Sequence, residues 1–166
     1  MFLDEVIIVM AFLSIPTAVT SVIDKHFSAT SSAWFRRLRK PMWIAPNNIF
    51  HTVWIFILVS MGLASYIVWK TPEKSFLPLL LYAVLLGLTW AWIPIFFRLK
   101  SLTASLIIVT ALIPIADFCT YLFLEVNLEA GLLMAPYPLW LIYIAYLKFT
   151  MYYLNNESTY DNVISL

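Results

Sequence analysis

Five long apolar stretches fill almost the whole of this 166-residue chain, and the polar links between them are short. An apolar run of about 18 residues or more, with few charges, is long enough to cross ~30 Å of hydrocarbon. Inside lipid every backbone N–H and C=O must find a partner within the protein, which leaves helices and closed barrels. Barrel strands alternate polar and apolar residues over about ten positions. These runs do not alternate. The chain therefore reads as an all-α membrane protein, a bundle of five transmembrane helices, with any functional site inside the bundle or at its mouth.

Charged residues make up only 11% of the sequence, where a soluble domain carries about a quarter. The net charge of +1 gives no global field for nucleic acid. Cys119 is the single cysteine, so the chain has no internal disulfide and no Cys/His metal cluster. The first residues carry Asp4 and Glu5 where a signal peptide carries Lys or Arg, and no small-x-small cleavage site follows. We read this segment as a retained helix and the whole of 1–166 as one domain.

The spans are placed at 6–23, 47–69, 75–97, 102–124 and 131–154, with a long, charged loop 1 at 24–46. Asn47 after Pro46 reads as a helix N-cap. Pro78 falls in a first turn, where its missing N–H costs little. The tail from Asn155 is polar and reads as frayed. Loops 1 and 3 hold Lys25, Arg36, Arg37, Arg39, Lys40, Arg98 and Lys100, against Lys70 and Lys74 on the other side. By the positive-inside rule this puts the N-terminus outside and the C-terminus in the cytoplasm. The absence of a targeting segment favours a bacterial inner membrane, with an organelle membrane such as the mitochondrial outer membrane as the alternative. No G-x-G-x-x-G, Walker A, HExxH or GxSxG motif occurs.

Loop 1 reads Trp34-Phe35-Arg36-Arg37-Leu38-Arg39-Lys40-Pro41-Met42-Trp43-Ile44-Ala45-Pro46. Val53-Trp54 and Met61-Gly62 follow in span 2, Trp92-Ile93-Pro94-Ile95-Phe96-Phe97 in span 3, and Pro136-Tyr137-Pro138-Leu139-Trp140 in span 5. This order resembles the TspO/MBR family, the translocator or tryptophan-rich sensory proteins, also known as peripheral-type benzodiazepine receptors. Its motifs run W-[YF]-x-x-L-x-K-P-x-W-x-P-P, V-W, M-G, W-x-P-x-F-F and P-Y-x-x-W. The resemblance implies a five-helix bundle. It also implies a binder of porphyrin, sterol such as cholesterol, or benzodiazepine-type ligands, acting as sensor, carrier or regulator. No cofactor is required; porphyrin or haem is the expected ligand.

By motif match the pocket under loop 1 is lined by Trp54, Trp92 and Trp140, with Trp43 on loop 1 as the lid. Leu58, Leu85, Thr89 and Ile144 are placed in the same lining, and His51 near its mouth, as an axial ligand for haem iron or a donor to a propionate. Leu85 and Thr89 stand where the family pattern has Gln and Asn, and Ile144 and Lys148 where it has Ala and Asn. Flat aromatic walls with few polar groups suit a flat apolar ligand. Two other functions stay open: a membrane enzyme degrading porphyrin with light and oxygen, and a small transporter. No acid–base pair, nucleophile or metal set argues for catalysis.

Four further features have plainer readings. Asp117, mid-span, is expected to be neutral and bonded to a neighbouring carbonyl or Thr, since a charge there is costly. Lys148 is expected to snorkel to the inner surface. Ala83, Gly87 and Ala91 recur every four residues, a spacing that lets helices approach closely, and the resemblance favours a homodimer on this face. Leu141, Tyr143 and Lys148 fit a loose cholesterol pattern.

Overall fold

The computed structural model describes residues 2–71 and 76–164. Six helices follow in order: α1 Phe2–Arg37, α2 Asn47–Lys70, α3 Leu77–Leu99, α4 Leu102–Val126, α5 Leu128–Met134 and α6 Pro136–Ile164. Five segments are long and apolar enough to cross a membrane: Leu3–Ile23, Asn47–Lys70, Leu77–Phe96, Leu102–Val126 and Leu128–Asn156. Among the described residues there is no strand. The chain is an all-α integral membrane protein with five spans.

α1 packs on α2 and α3, α4 on α3 and α6, and α5 on α2 and α4. The core forms between these faces. It contains Trp54, Leu58 and Met61 of α2, Leu85 and Trp92 of α3, Val109 and Ala116 of α4, and Tyr137 and Ile144 of α6.

Three stretches depart from the sequence reading. α1 does not stop at Ile23 but runs on to Arg37, so the irregular link is 38–46 rather than 24–46. Residues 24–37 contain neither Gly nor Pro, and charge alone does not end a helix that has left the membrane. Acidic Asp4 and Glu5 in the first turn and basic Arg36 and Arg37 in the last suit the helix dipole. The fifth span is two helices, broken at Ala135. Pro136 has no N–H to extend α5. Ala135 closes α5 by donating its N–H to the Gly131 carbonyl at 3.0 Å. Finally, the backbone beyond Asn155 stays helical to Ile164. Lys74 and Ser75, between the second and third spans, lie outside the described residues.

The ends of the helices have identifiable causes. Pro46, not Asn47, caps α2; its carbonyl accepts from Phe50 N at 2.9 Å and no side chain caps the turn. Pro78 sits in the first turn of α3, as expected. Lys100 ends α3 in the left-handed region at φ 49°, and Ser101 caps α4 by accepting from Ala104 N at 3.2 Å. Asn127 caps α5, its Oδ1 accepting from Glu129 N at 2.8 Å and Ala130 N at 3.2 Å.

α1 and α2 meet at a proline and a glycine. Pro16 lacks the N–H that would serve the Phe12 carbonyl. A Cβ on Gly62 would collide with that carbonyl oxygen and stand 3.2 Å from Leu13 Cα. Phe12 packs on Tyr66 and Trp69 at 6.0 and 5.9 Å, and near the start of α1 Lys70 donates to Glu5 at 3.0 Å.

Candidate ligand site

The link 38–46 is tied down on α6. Arg39 N donates to Asn155 Oδ1 at 3.0 Å, and Asn155 Nδ2 donates back to the Arg39 carbonyl at 3.0 Å. The amide side chain thus pairs with one residue of backbone as a neighbouring strand would. Ile44 N donates to the Pro41 carbonyl at 3.2 Å, forming a turn, and Ala45 N donates to Tyr143 Oη at 3.2 Å. Trp43 lies over α6, stacked on Tyr146 at 5.1 Å and edge-on to Tyr143 at 6.1 Å, with 43% of its surface exposed.

Aromatic rings continue inward from the link. Tyr143 and Trp140 are 4.9 Å apart, and Trp140 meets Phe50 of α2 at 5.1 Å. One turn deeper, Trp54 faces Tyr137 at 6.4 Å. The order of the rings follows from helix spacing: Tyr137, Trp140 and Tyr143 on α6, and Phe50 and Trp54 on α2, are three or four residues apart.

Trp54, Leu58, Leu85, Thr89, Trp92 and Ile144 are all buried in the core, and Trp140 is half-buried against it. Thr89 spends its hydroxyl within the protein. It donates to the Leu85 carbonyl at 2.7 Å, so the 2.5 Å contact with Tyr137 has the phenol as donor. The two remaining donors are indoles. Trp92 Nε1 and Trp140 Nε1 are buried and have no hydrogen-bond partner among the described residues. Tyr137, Leu85 and Ile144 of the same core are essentially without exposure. A bound ligand therefore has to displace these side chains or part the link from α6.

Other sequence-singled residues fall elsewhere. His51 is exposed, on the stripe that carries exposed Ile55, and the structure does not bring it to the cluster. Asp117 also points out of the bundle, next to exposed Phe118, and makes no hydrogen bond among the described residues. The expected bond to a carbonyl or Thr is absent because the buried stripe of α4 runs through Leu112, Ala116 and Cys119, about 100° away. Lys148 does not snorkel. It belongs to the inward stripe Tyr137, Leu141, Ile144, Lys148 and Met151 and is only 6% exposed. Leu141 and Lys148 of the cholesterol pattern thus face the core rather than lipid. Ala83 and Gly87 are exposed and Ala91 half-buried, and a Cβ on Gly87 would meet nothing within 4 Å, so this face is not used inside the bundle. A separate apolar cavity of about 200 Å³ lies between α1 and α3, lined by Phe12, Ile15, Pro16, Tyr82 and Leu86 among others. Among the described residues no group of His, Cys, Asp and Glu is placed to hold a metal.

Residues 7–154 match the model of the TspO/MBR family. The chain belongs to that family. This TspO/MBR protein is 31% identical to the "Translocator protein" of Homo sapiens over 147 residues, 86% of this chain and 87% of that one. It is 33% identical to "Protein CrtK" of Rhodobacter capsulatus, over 74% of this chain and 79% of that one. A "Tryptophan-rich protein TspO" of Chlorobaculum tepidum is 31% identical over 78% of this chain and 84% of its own length. The TspO/MBR match covers all five spans, the link and the indole cluster, so the bundle and its aromatic interior belong to the family-matched region.

Tyr137 is the site residue that sequence reasoning passed over. It was read only as a motif letter, although it is fully buried, faces Trp54 and bonds Thr89. Its spacing of seven from Ile144 was the available signal, since both then share one helix face.

Proposed function

We propose that this TspO/MBR protein binds a flat, mostly apolar ligand of the tetrapyrrole class beneath the link 38–46, and acts as a sensor, carrier or regulator of it. The observation that carries the reading is the pair of buried, unpartnered indole N–H groups of Trp92 and Trp140 in a largely aromatic and aliphatic interior, where Tyr82 Oη and Ser105 Oγ are also buried without partners. Buried donors without acceptors are costly and rare in a finished core. A ring system with a few acceptors satisfies them while stacking on Trp54 and Trp140. Sterol-like ligands share the apolar body but offer fewer acceptors, which ranks them second.

The test is a titration of the purified chain with protoporphyrin IX in the dark. Indole fluorescence is quenched with a dissociation constant near micromolar, about −8 kcal/mol. Loss of a stacked aromatic costs ~0.5–1.5 kcal/mol beyond lost area, so Trp140→Ala weakens binding several-fold. If Trp54→Ala and Trp140→Ala both titrate like the parent, the tryptophans are packing and the reading fails. Appearance of a new chromophore in light and oxygen replaces binding by porphyrin degradation.

The orientation that goes with this reading places the link, Lys100 and the end of α6 in the cytoplasm of a bacterial inner membrane. All three lie at one end of the bundle, around a common cleft. A reporter fused after Leu166 gives a cytoplasmic signal; an external one reverses the assignment.

A further inference from the structure

Lys148 places an amine inside a membrane protein, with no carboxylate beside it among the described residues. Its Nζ stands 3.3 Å above the Phe96 ring centroid, 5.8 Å from that of Phe35 and 5.9 Å from that of Trp92. Among the described residues no carboxylate lies within ion-pair distance and Nζ makes no hydrogen bond. Ring faces attract an ammonium but offset only part of the cost of taking it out of water. The Trp92 indole N–H beside it is likewise buried and unpartnered. Among the described residues the two groups are therefore donors without an acceptor.

The surroundings increase this deficit. Lys40, on the link, places its own Nζ 4.3 Å from the Phe35 centroid, so two lysine amines share one ring. One turn further along α6, Tyr152 lines a cleft of about 230 Å³ with Trp34, Leu38, Lys100 and Thr103. Trp34 meets Phe96 edge-on at 5.5 Å, so the cleft and the cage around Lys148 share a wall. The cleft opens at the end where the link meets α6, with a mixed lining that includes Asn155, Asn156 and another lysine.

We propose that Lys148 Nζ and Trp92 Nε1–H seat a carboxylate of the bound ligand, so that this protein selects apolar molecules bearing an acid over their neutral counterparts. The inference deepens the tetrapyrrole reading and rests on it for the ligand's flat body, but not for the acid. A propionate-bearing porphyrin and a long-chain fatty acid offer the same carboxylate.

The experiment compares two acid–ester pairs on the purified full chain: protoporphyrin IX with its dimethyl ester, and cis-parinaric acid with its methyl ester. The parent binds an acid about tenfold or more tighter than its ester. Lys148→Met brings the acid's affinity down to that of its ester, and Lys148→Arg retains part of the preference. Equal binding of acid and ester by the parent in both pairs overturns the seat, as does a preference that survives in Lys148→Met. If neither porphyrin binds but parinaric acid does in a Lys148-dependent way, the tetrapyrrole reading falls and the seat stands. If porphyrin binds with no acid preference, and parinaric acid shows none, the reverse holds. Failure of all four probes to bind overturns the seat. Should Lys148→Met not fold, the acid-to-ester ratio of the parent alone decides.

Discussion

The hydroxyl of Thr89 has one proton, and the Leu85 carbonyl takes it. Tyr137 must then be the donor in the bond between them. The two ends of this bond are unequal. Tyr137→Phe removes a donor and leaves Thr89 satisfied, at a cost of about 1 kcal/mol; Thr89→Val strands a buried phenol O–H, at about 1–3 kcal/mol. Thermal unfolding in detergent should place Thr89→Val below Tyr137→Phe, and the opposite order would show that the assigned direction is wrong. The individual positions of Trp54, Trp92 and Thr89 were legible because motif and helix period both place them inward. Lys148 does not snorkel as expected, because its spacing from Tyr137 and Ile144 turns it to the inward face. Asp117 shows the converse: an acid mid-span invites a buried role, but one step of helix, about 100°, turns it from Ala116's face to the outside. The pairing of Tyr137 with Thr89 was beyond reach, since it depends on how α3 and α6 cross.

At the scale of helices, the joint between α1 and α2 depends on the absence of a side chain. Gly62 faces the Phe12 carbonyl that Pro16 leaves without its N–H. Gly62→Ala would drive a methyl into backbone, which cannot swing aside as a side-chain end can. We expect a loss of about 1–3 kcal/mol, the range for overfilling a packed core, read as a lower midpoint in detergent unfolding. A neutral result would mean that α1 sits further from α2 than described. The existence of the five spans was legible from apolar run length alone. Their ends were not, because a run of hydropathy reports where lipid stops, whereas a helix stops where its hydrogen bonding does. α1 passes the membrane edge and continues to Arg37, while Pro136 divides a stretch that is apolar throughout.

For the molecule as a whole, we propose the exposed Ala83 and Gly87 face of α3 as the seat of a second copy. Since a Cβ on Gly87 meets nothing within 4 Å, Gly87→Leu should leave the fold of a single chain unchanged. If the homodimer forms there, the bulky side chain prevents the backbones from approaching, and the variant runs as a monomer in detergent with an unaltered unfolding midpoint. A dimer that survives lies on another face.

The carboxamide of Asn155 gives the link a latch that belongs to the far end of the chain. If a ligand binds beneath the link as proposed, breaking the latch changes how often that site opens, and so how quickly the ligand both arrives and leaves. Asn155→Ala should raise association and dissociation rates of protoporphyrin IX together in stopped-flow quenching, with little change in their ratio. A dissociation rate that climbs alone would mean that the latch also holds the ligand. Residence time in this protein would then be tuned from α6, by a residue that need not touch the ligand, leaving the indoles to set affinity.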